Sequence, residues 1–139
     1  MENRDALDRI QFQNVKIEVL PDGRRVGRVT LAWGGNRKFV GVSERAESEL
    51  TDLECSAEAT LRALETAVDH KVKFRLLTVE MTQHVGAVLV VVSISTHTDE
   101  AEERLVGSCL SEADPNESAA RAVLKATNRL VGSNFIYLH

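Results

Sequence analysis

Apolar residues along this chain change their spacing in a regular order. Val15, Ile17 and Val19 alternate with Lys16 and Glu18, the period of a half-buried strand. Pro21-Asp22-Gly23 is a turn signal. A second strand follows over 26–33, with Val29, Leu31 and Trp33 on one face and Arg28, Thr30 and Ala32 on the other. Gly34-Gly35-Asn36 predicts a tight turn, because these residue types tolerate positive φ, and 38–43 makes a third strand. Over 52–69 the period becomes helical. Leu53, Ala57, Leu61, Leu64 and Val68 share one face, and Ala59, Ala63 and Ala67 form a small-residue edge that another element can approach closely. The order then recurs. Strands are predicted over 72–81, 85–95 and 105–110, with Thr82-Gln83-His84 and the acidic stretch 96–103 as connections. A helix over 114–131 carries Ala119, Val123, Ala126 and Leu130 on its apolar face.

The recurrence extends to residue identities. The run 26–31 lines up with 85–90, Phe39-Val40-Gly41 with Leu105-Val106-Gly107, and 51–68 with 114–131 without a gap. Both helix starts carry the pattern of a capping box: Thr51 with Glu54, and Asp114 with Pro115 and Glu117. The chain is therefore predicted to be α+β, a tandem βββα-βββα repeat of antiparallel sheets with two helices packed on one face. Residues 1–13 are expected to form a flexible lead-in. Residues 14–139 then make one domain of two units, 14–70 and 71–132, with a short C-terminal tail.

One strand breaks the alternation. In 87–92 both faces are apolar, which is the pattern of a strand buried on both sides. Helices cover only one face, so Leu89 and Val91 need a partner, and a homodimer or a contact with a larger protein is expected.

Composition narrows the function classes. A net charge of −4 and only 4% aromatic residues describe a chain with an aliphatic core and no basic stripe, so no nucleic-acid partner is expected. The cations Arg24, Arg25, Arg28, Arg37 and Lys38 cluster near the first hairpins, followed closely by Glu44, Glu47, Glu49, Asp52 and Glu54. The cluster reads either as a solvated hairpin end or as an anion contact. Cys55 and Cys109 fit neither a zinc site nor a disulfide framework, which suits a reducing, cytoplasmic setting. The N-terminus lacks a signal-peptide core and the apolar run 85–92 is too short to span a bilayer, so no membrane association is expected.

No catalytic constellation stands out. His70, His84, His97 and His139 lack metal-ligand spacing, and neither a metal nor a cofactor is expected. A nucleophile needs a base within reach, and Cys109 with His84 is the pair to examine first. The matched Gly41 and Gly107 are lone glycines in strands, explained by a bulge or a close backbone approach. Binding residues concentrate on loops held by a rigid scaffold, and helix N-termini offer backbone N–H groups. The candidate ligand-binding residues are therefore those of the two strand-to-helix junctions, Ser43, Thr51, Asp52, Ser108, Ser111 and Asp114, with Asn128 from the polar group on the second helix.

Gly107-Ser108, Asp114 and the alanine-rich run 119–130 ending in Asn128-Arg129-Leu130 resemble the second unit of the C-terminal regulatory domain of 2-isopropylmalate synthase. The strand over 85–90 resembles the strand of that family that follows a glycine. The family's first helix follows a turn of Gly-Pro-Val-Asp-Ala type, where this chain reads Leu50-Thr51-Asp52-Leu53-Glu54. The resemblance implies a stand-alone relative of a regulatory, dimerising module built from two βββα units. It implies no synthase activity. Three functions follow as expectations: a non-catalytic module binding a small polar metabolite or a partner protein, a small enzyme with its site between repeats or subunits, and a structural subunit of a larger assembly.

Overall fold

A computed structural model describes residues 10–34, 36–111 and 114–138, except for the side chains at 84, 129 and 131–138. The N-terminal lead-in over 1–9, Gly35 of the second turn and His139 lie outside the described residues. The element order is β1 (Gln11–Val19), β2 (Arg25–Trp33), β3 (Arg37–Arg45), α1 (Thr51–Ala67), β4 (Lys73–His84), β5 (Ala87–His97), β6 (Glu102–Ser111) and α2 (Pro115–Leu138). The strands form two antiparallel three-stranded sheets, β1-β2-β3 and β4-β5-β6. The fold is the α+β tandem βββα-βββα repeat that the spacing predicts. Two elements run longer than expected: β1 begins at Gln11, with Ile10 already in the core, and α2 continues to Leu138 through the stretch read as a tail. Among the described residues no helix is long and apolar enough to cross a membrane.

Each helix lies on one face of its own sheet, the two helices pack on each other, and each also reaches the first strand of the other unit. Helix α1 is consequently enclosed nearly all round. Its predicted apolar face is buried together with Ser56, Thr60 and the small edge Ala59, Ala63 and Ala67. That edge explains Gly41. A Cβ there would stand 1.9 Å from the Ala59 carbonyl oxygen and 2.4 Å from the Ala63 nitrogen. In the second unit a Cβ on Gly107 would stand 2.1 Å from the Ala122 carbonyl oxygen and 2.8 Å from Ala126. Both glycines are close backbone approaches, made at matched places.

The register corrects one part of the repeat. Val29 faces Gly41 and Val92 faces Gly107, so β2 matches β5 with Val29 at Val92, not at Val88. The apparent match of 26–31 with 85–90 fails because Val85 and Gly86 are not strand residues. They are the central residues of a two-residue turn, with φ of 46° and 77°. Such a turn follows the right-handed twist of the flanking strands and requires positive φ at both positions, which glycine takes freely and a β-branched residue only under strain. Under the corrected match the units share a further feature. β1 has a register shift between Phe12 and Asn14, and β4 has one between Leu76 and Thr78, opposite Leu31 and Ile94 respectively.

The helix starts also differ from the capping pattern. Asp114 does cap α2: its carboxylate accepts the Asn116 amide at 2.9 Å and its carbonyl the Ser118 amide. Glu117 does not close the box, because it is held by Arg121 at 2.8 Å. At α1 no side chain caps the helix. Thr51 is the first helical residue and buried. Its hydroxyl accepts the Ser48 amide and lies 3.1 Å from the Ala46 carbonyl, tying down the preceding loop.

Among the polar contacts that join the units, one lies at the edge of the second sheet. Glu65 of α1, 8% exposed, accepts the Phe74 amide of β4 at 2.9 Å. Arg62, paired with Glu65 at 2.6 Å, donates to the Phe74 carbonyl at 2.9 Å. Phe74 lies on the edge strand of the second sheet, so two side chains of the first unit satisfy backbone groups at that edge.

Candidate functional site

The two helices meet near their N-terminal turns, where the Ser56 hydroxyl donates to the Asn116 carbonyl at 2.5 Å. Around this meeting point a cleft of about 390 Å³ opens. Residues 48–53 line it from the first junction, Pro115 and Asn116 from the start of α2, Arg25 from the first residue of β2, and Met81 from β4. The strand-to-helix junctions of both units thus share one cavity.

The predicted site residues divide between this cleft and other places. Thr51 and Asp52 line it, and Asp114 caps the helix whose first turn lines it. Ser43 is buried on β3, and its hydroxyl donates to Glu58. Ser111 is buried opposite Val88, while Ser108 lies exposed opposite Val91 on the face of the second sheet turned away from the helices. Asn128 is exposed about three turns further along α2, roughly 18 Å from the cleft at 1.5 Å per residue. Sequence reasoning missed Arg25 and Met81 as lining residues. Arg25 was legible only as a member of the basic cluster, and Met81 carried no signal.

The electrostatics of the cleft are mixed. The Arg25 guanidinium is 3.3 Å from the Asp52 carboxylate and 3.6 Å from Glu47, and it donates to the Gly23 carbonyl. Arg24 pairs with Glu44 at 3.3 Å, and Arg37 lies over the rings of Trp33 and Phe39. Much of the basic cluster is therefore engaged within the chain. Glu49 and Asp52 stay exposed at the mouth, while the first turn of α1 presents backbone N–H groups that no side chain caps. Carboxylates beside N–H donors suit a small molecule carrying both signs of charge, or a neutral polar one. The lining residues include no histidine or cysteine to act as base or nucleophile.

Beside the cleft, α1 is pinned to β3 by a ladder of charges. Arg45 lies 3.3 Å from both Glu54 and Glu58, and Ser48 donates to Glu54 at 3.1 Å. Burial disfavours the charged Glu58 carboxylate, but the Ser43 hydroxyl and Arg45, helped by Arg62, outweigh it and hold the group below its ordinary value of 4.5. Burial pushes the Cys55 thiol up, with Arg45 opposing it and Asp52, Glu58 and Glu54 adding to the effect, which disfavours the thiolate. Cys109 and His84 lie on strands at opposite edges of the second sheet with β5 between them, and the residue of β4 in register with Cys109 through Val90 is Met81.

The Glu58 arrangement makes stability depend on pH. A carboxylate with a depressed folded-state value stabilises the fold above the unfolded-chain value of 4.5. That contribution is lost as the pH falls from there through the lower folded-state value. Urea denaturation between pH 7 and pH 3 should show the stability difference between the native chain and Glu58→Gln shrinking across this acid range. A difference that stays constant would remove the assignment.

Compared with known proteins, the chain matches no family model and no curated protein.

Proposed function

We propose that this chain is a non-catalytic, regulatory-type binding module that takes a small polar metabolite in the cleft between the two strand-to-helix junctions and works as a homodimer. The observation that carries the reading is the cleft itself: two repeated units contribute matched segments to one cavity with Arg25, Asp52 and an uncapped helix start at its edge. A lining without histidine or cysteine supports binding over catalysis, and the resemblance to the regulatory domain of 2-isopropylmalate synthase points the same way. Leu89 and Val91, only half-buried in the single chain, support the dimer.

Thermal unfolding in the presence of amino acids, 2-oxo acids and nucleotides tests the binding half. A ligand at a hundredfold excess over its Kd stabilises the folded state by about 2.7 kcal/mol, a shift of several degrees for a domain of this size. One class is expected to give such a shift, and Asp52→Asn, on an exposed side chain, is expected to abolish it. No shift with any class, or one that survives Asp52→Asn unchanged, would count against the cleft.

A further inference from the structure

The two sheets turn different outer faces to solvent. With Val29 matched to Val92, the rows of outward residues correspond one to one. In the first sheet these rows read Asn14–Thr30–Val40, Lys16–Arg28–Val42 and Glu18–Val26–Glu44. In the second they read Thr78–Ser93–Val106, Glu80–Val91–Ser108 and Thr82–Leu89–Leu110. Arg28 stands where Val91 stands, and Glu44 where Leu110 stands. The first face is charged in two of its three rows, as a solvated sheet requires. The second carries only Glu80 over the same positions, while Val106 is 62% and Leu110 49% exposed. Depletion of charge around exposed aliphatic residues marks the core of a protein interface, and the first sheet serves as the internal contrast on the same scaffold.

The outward charges on β4 say what covers it; those on β6, Arg104 in register with Ser95 and Glu102 in register with His97, stand toward one end of the face. Arg75 and Glu80 are exposed on β4, and neither makes an ion pair with a described residue. Arg75 is in register with Ser95 and Glu80 with Val91, one outward row on either side of Ser93. A two-fold axis running across the strands along the Thr78–Ser93–Val106 row therefore lays Arg75 of one copy over Glu80 of the other, and the reverse. The same operation brings Leu77, which lies beside Arg75 and Ser95 at the register shift, toward Val91 of the second copy. An isologous contact needs a face that complements itself, and this one does in its Arg75–Glu80 pairs and its apolar residues, while Arg104 falls opposite Ser108.

We infer that the outer face of the β4-β5-β6 sheet is a homodimer interface, occupied by a second copy packed face to face about the Thr78–Ser93–Val106 row. This rests on the dimer reading above and names its surface. Sedimentation or light scattering across a dilution series tests it. Val106→Lys, at an exposed position that leaves the core intact, should weaken dimerisation at least a hundredfold. Arg75→Glu and Glu80→Arg should each weaken it about tenfold, and the double swap Arg75→Glu/Glu80→Arg should bring it back to within about threefold of the native chain. A native chain that stays monomeric at every concentration overturns both the dimer and its surface. A native dimer that persists with Val106→Lys keeps the dimer and overturns this surface. A double swap no tighter than the single variants overturns the two-fold placement.

Discussion

Gly107→Ala is expected to cost about 3 kcal/mol or more, and Gly41→Ala at least as much, measured by urea denaturation. Neither glycine has a positive φ, so an alanine suits the local backbone, and intrinsic strand preference alone would make the change neutral or favourable. The cost comes from the helix above. The nearest atoms to a Cβ at 107 are the Ala122 carbonyl oxygen at 2.1 Å and two atoms of Ala126, and at 41 they are backbone atoms of Ala59 and Ala63. No flexible side chain is available to move aside. The helix must lift from the sheet along its length, and an interior packed at crystal-like density transmits that shift to Leu61, Leu64 and Val123. Ser108→Ala, one residue away on the sheet face turned from the helices, is the matched control and should stay within about 0.5 kcal/mol. A Gly107→Ala protein as stable as this control would mean that α2 does not sit on β6 at this distance.

Glu65→Ala is expected to cost about 2 to 3 kcal/mol. Glu65 is the only acidic residue among the buried polar side chains described, and it has two obligations. The Phe74 amide would lose its acceptor in a buried setting, and Arg62 would lose its carboxylate while still reaching the Phe74 carbonyl. The arginine side chain is 37% exposed and can recover water, which keeps the estimate below that for a fully buried pair. Glu65→Gln retains an oxygen for the Phe74 amide and should recover about half of the loss. Because this contact joins the units, the loss should also appear as faster amide hydrogen exchange at Phe74 and the first residues of β4. Unchanged exchange there in Glu65→Ala would show that the edge is held by other means.

Different physical terms wrote these features into the sequence to different degrees. Helix α2 announced itself because Asp114 and Pro115 act within one turn of the chain, where neighbours in sequence are neighbours in space. The same rule misread α1. Thr51 and Glu54 have the spacing of a box, but Thr51 serves the loop at 46–48 and Glu54 is drawn to Arg45 on β3. A tertiary ion pair outcompeted a local cap. Alternation located the strands but not their ends, since Gln11, Phe12 and Gln13 show no clear period, and a register shift at Phe12/Asn14 interrupts it. Val85-Gly86 read as the start of a strand because valine prefers strands, yet hairpin geometry placed both residues in a turn.

The candidate site was legible only as two separate junctions. Thr51, Asp52 and Asp114 were found because helix starts are visible in sequence. Ser43 was found and then lost, since its hydroxyl belongs to Glu58. Arg25 and Met81 reach the cleft through sheet pairing and the packing of one unit on the other, which no local pattern encodes.

By itself, then, the sequence determined what depends on short-range periodicity: two βββα units, the apolar face of each helix, the cap at Asp114 and the matched glycines that admit the helices. The tertiary structure decided what depends on long-range pairing. It matched Val29 to Val92, brought two helix starts together in one cleft, and gave one sheet a charge-rich outer face and the other a charge-poor one. The reason is physical. Side-chain period and capping are set by residues a few positions apart, whereas register and unit-on-unit packing are set by how buried surfaces fit, and a shift of one residue would move every side chain of a strand to the opposite face.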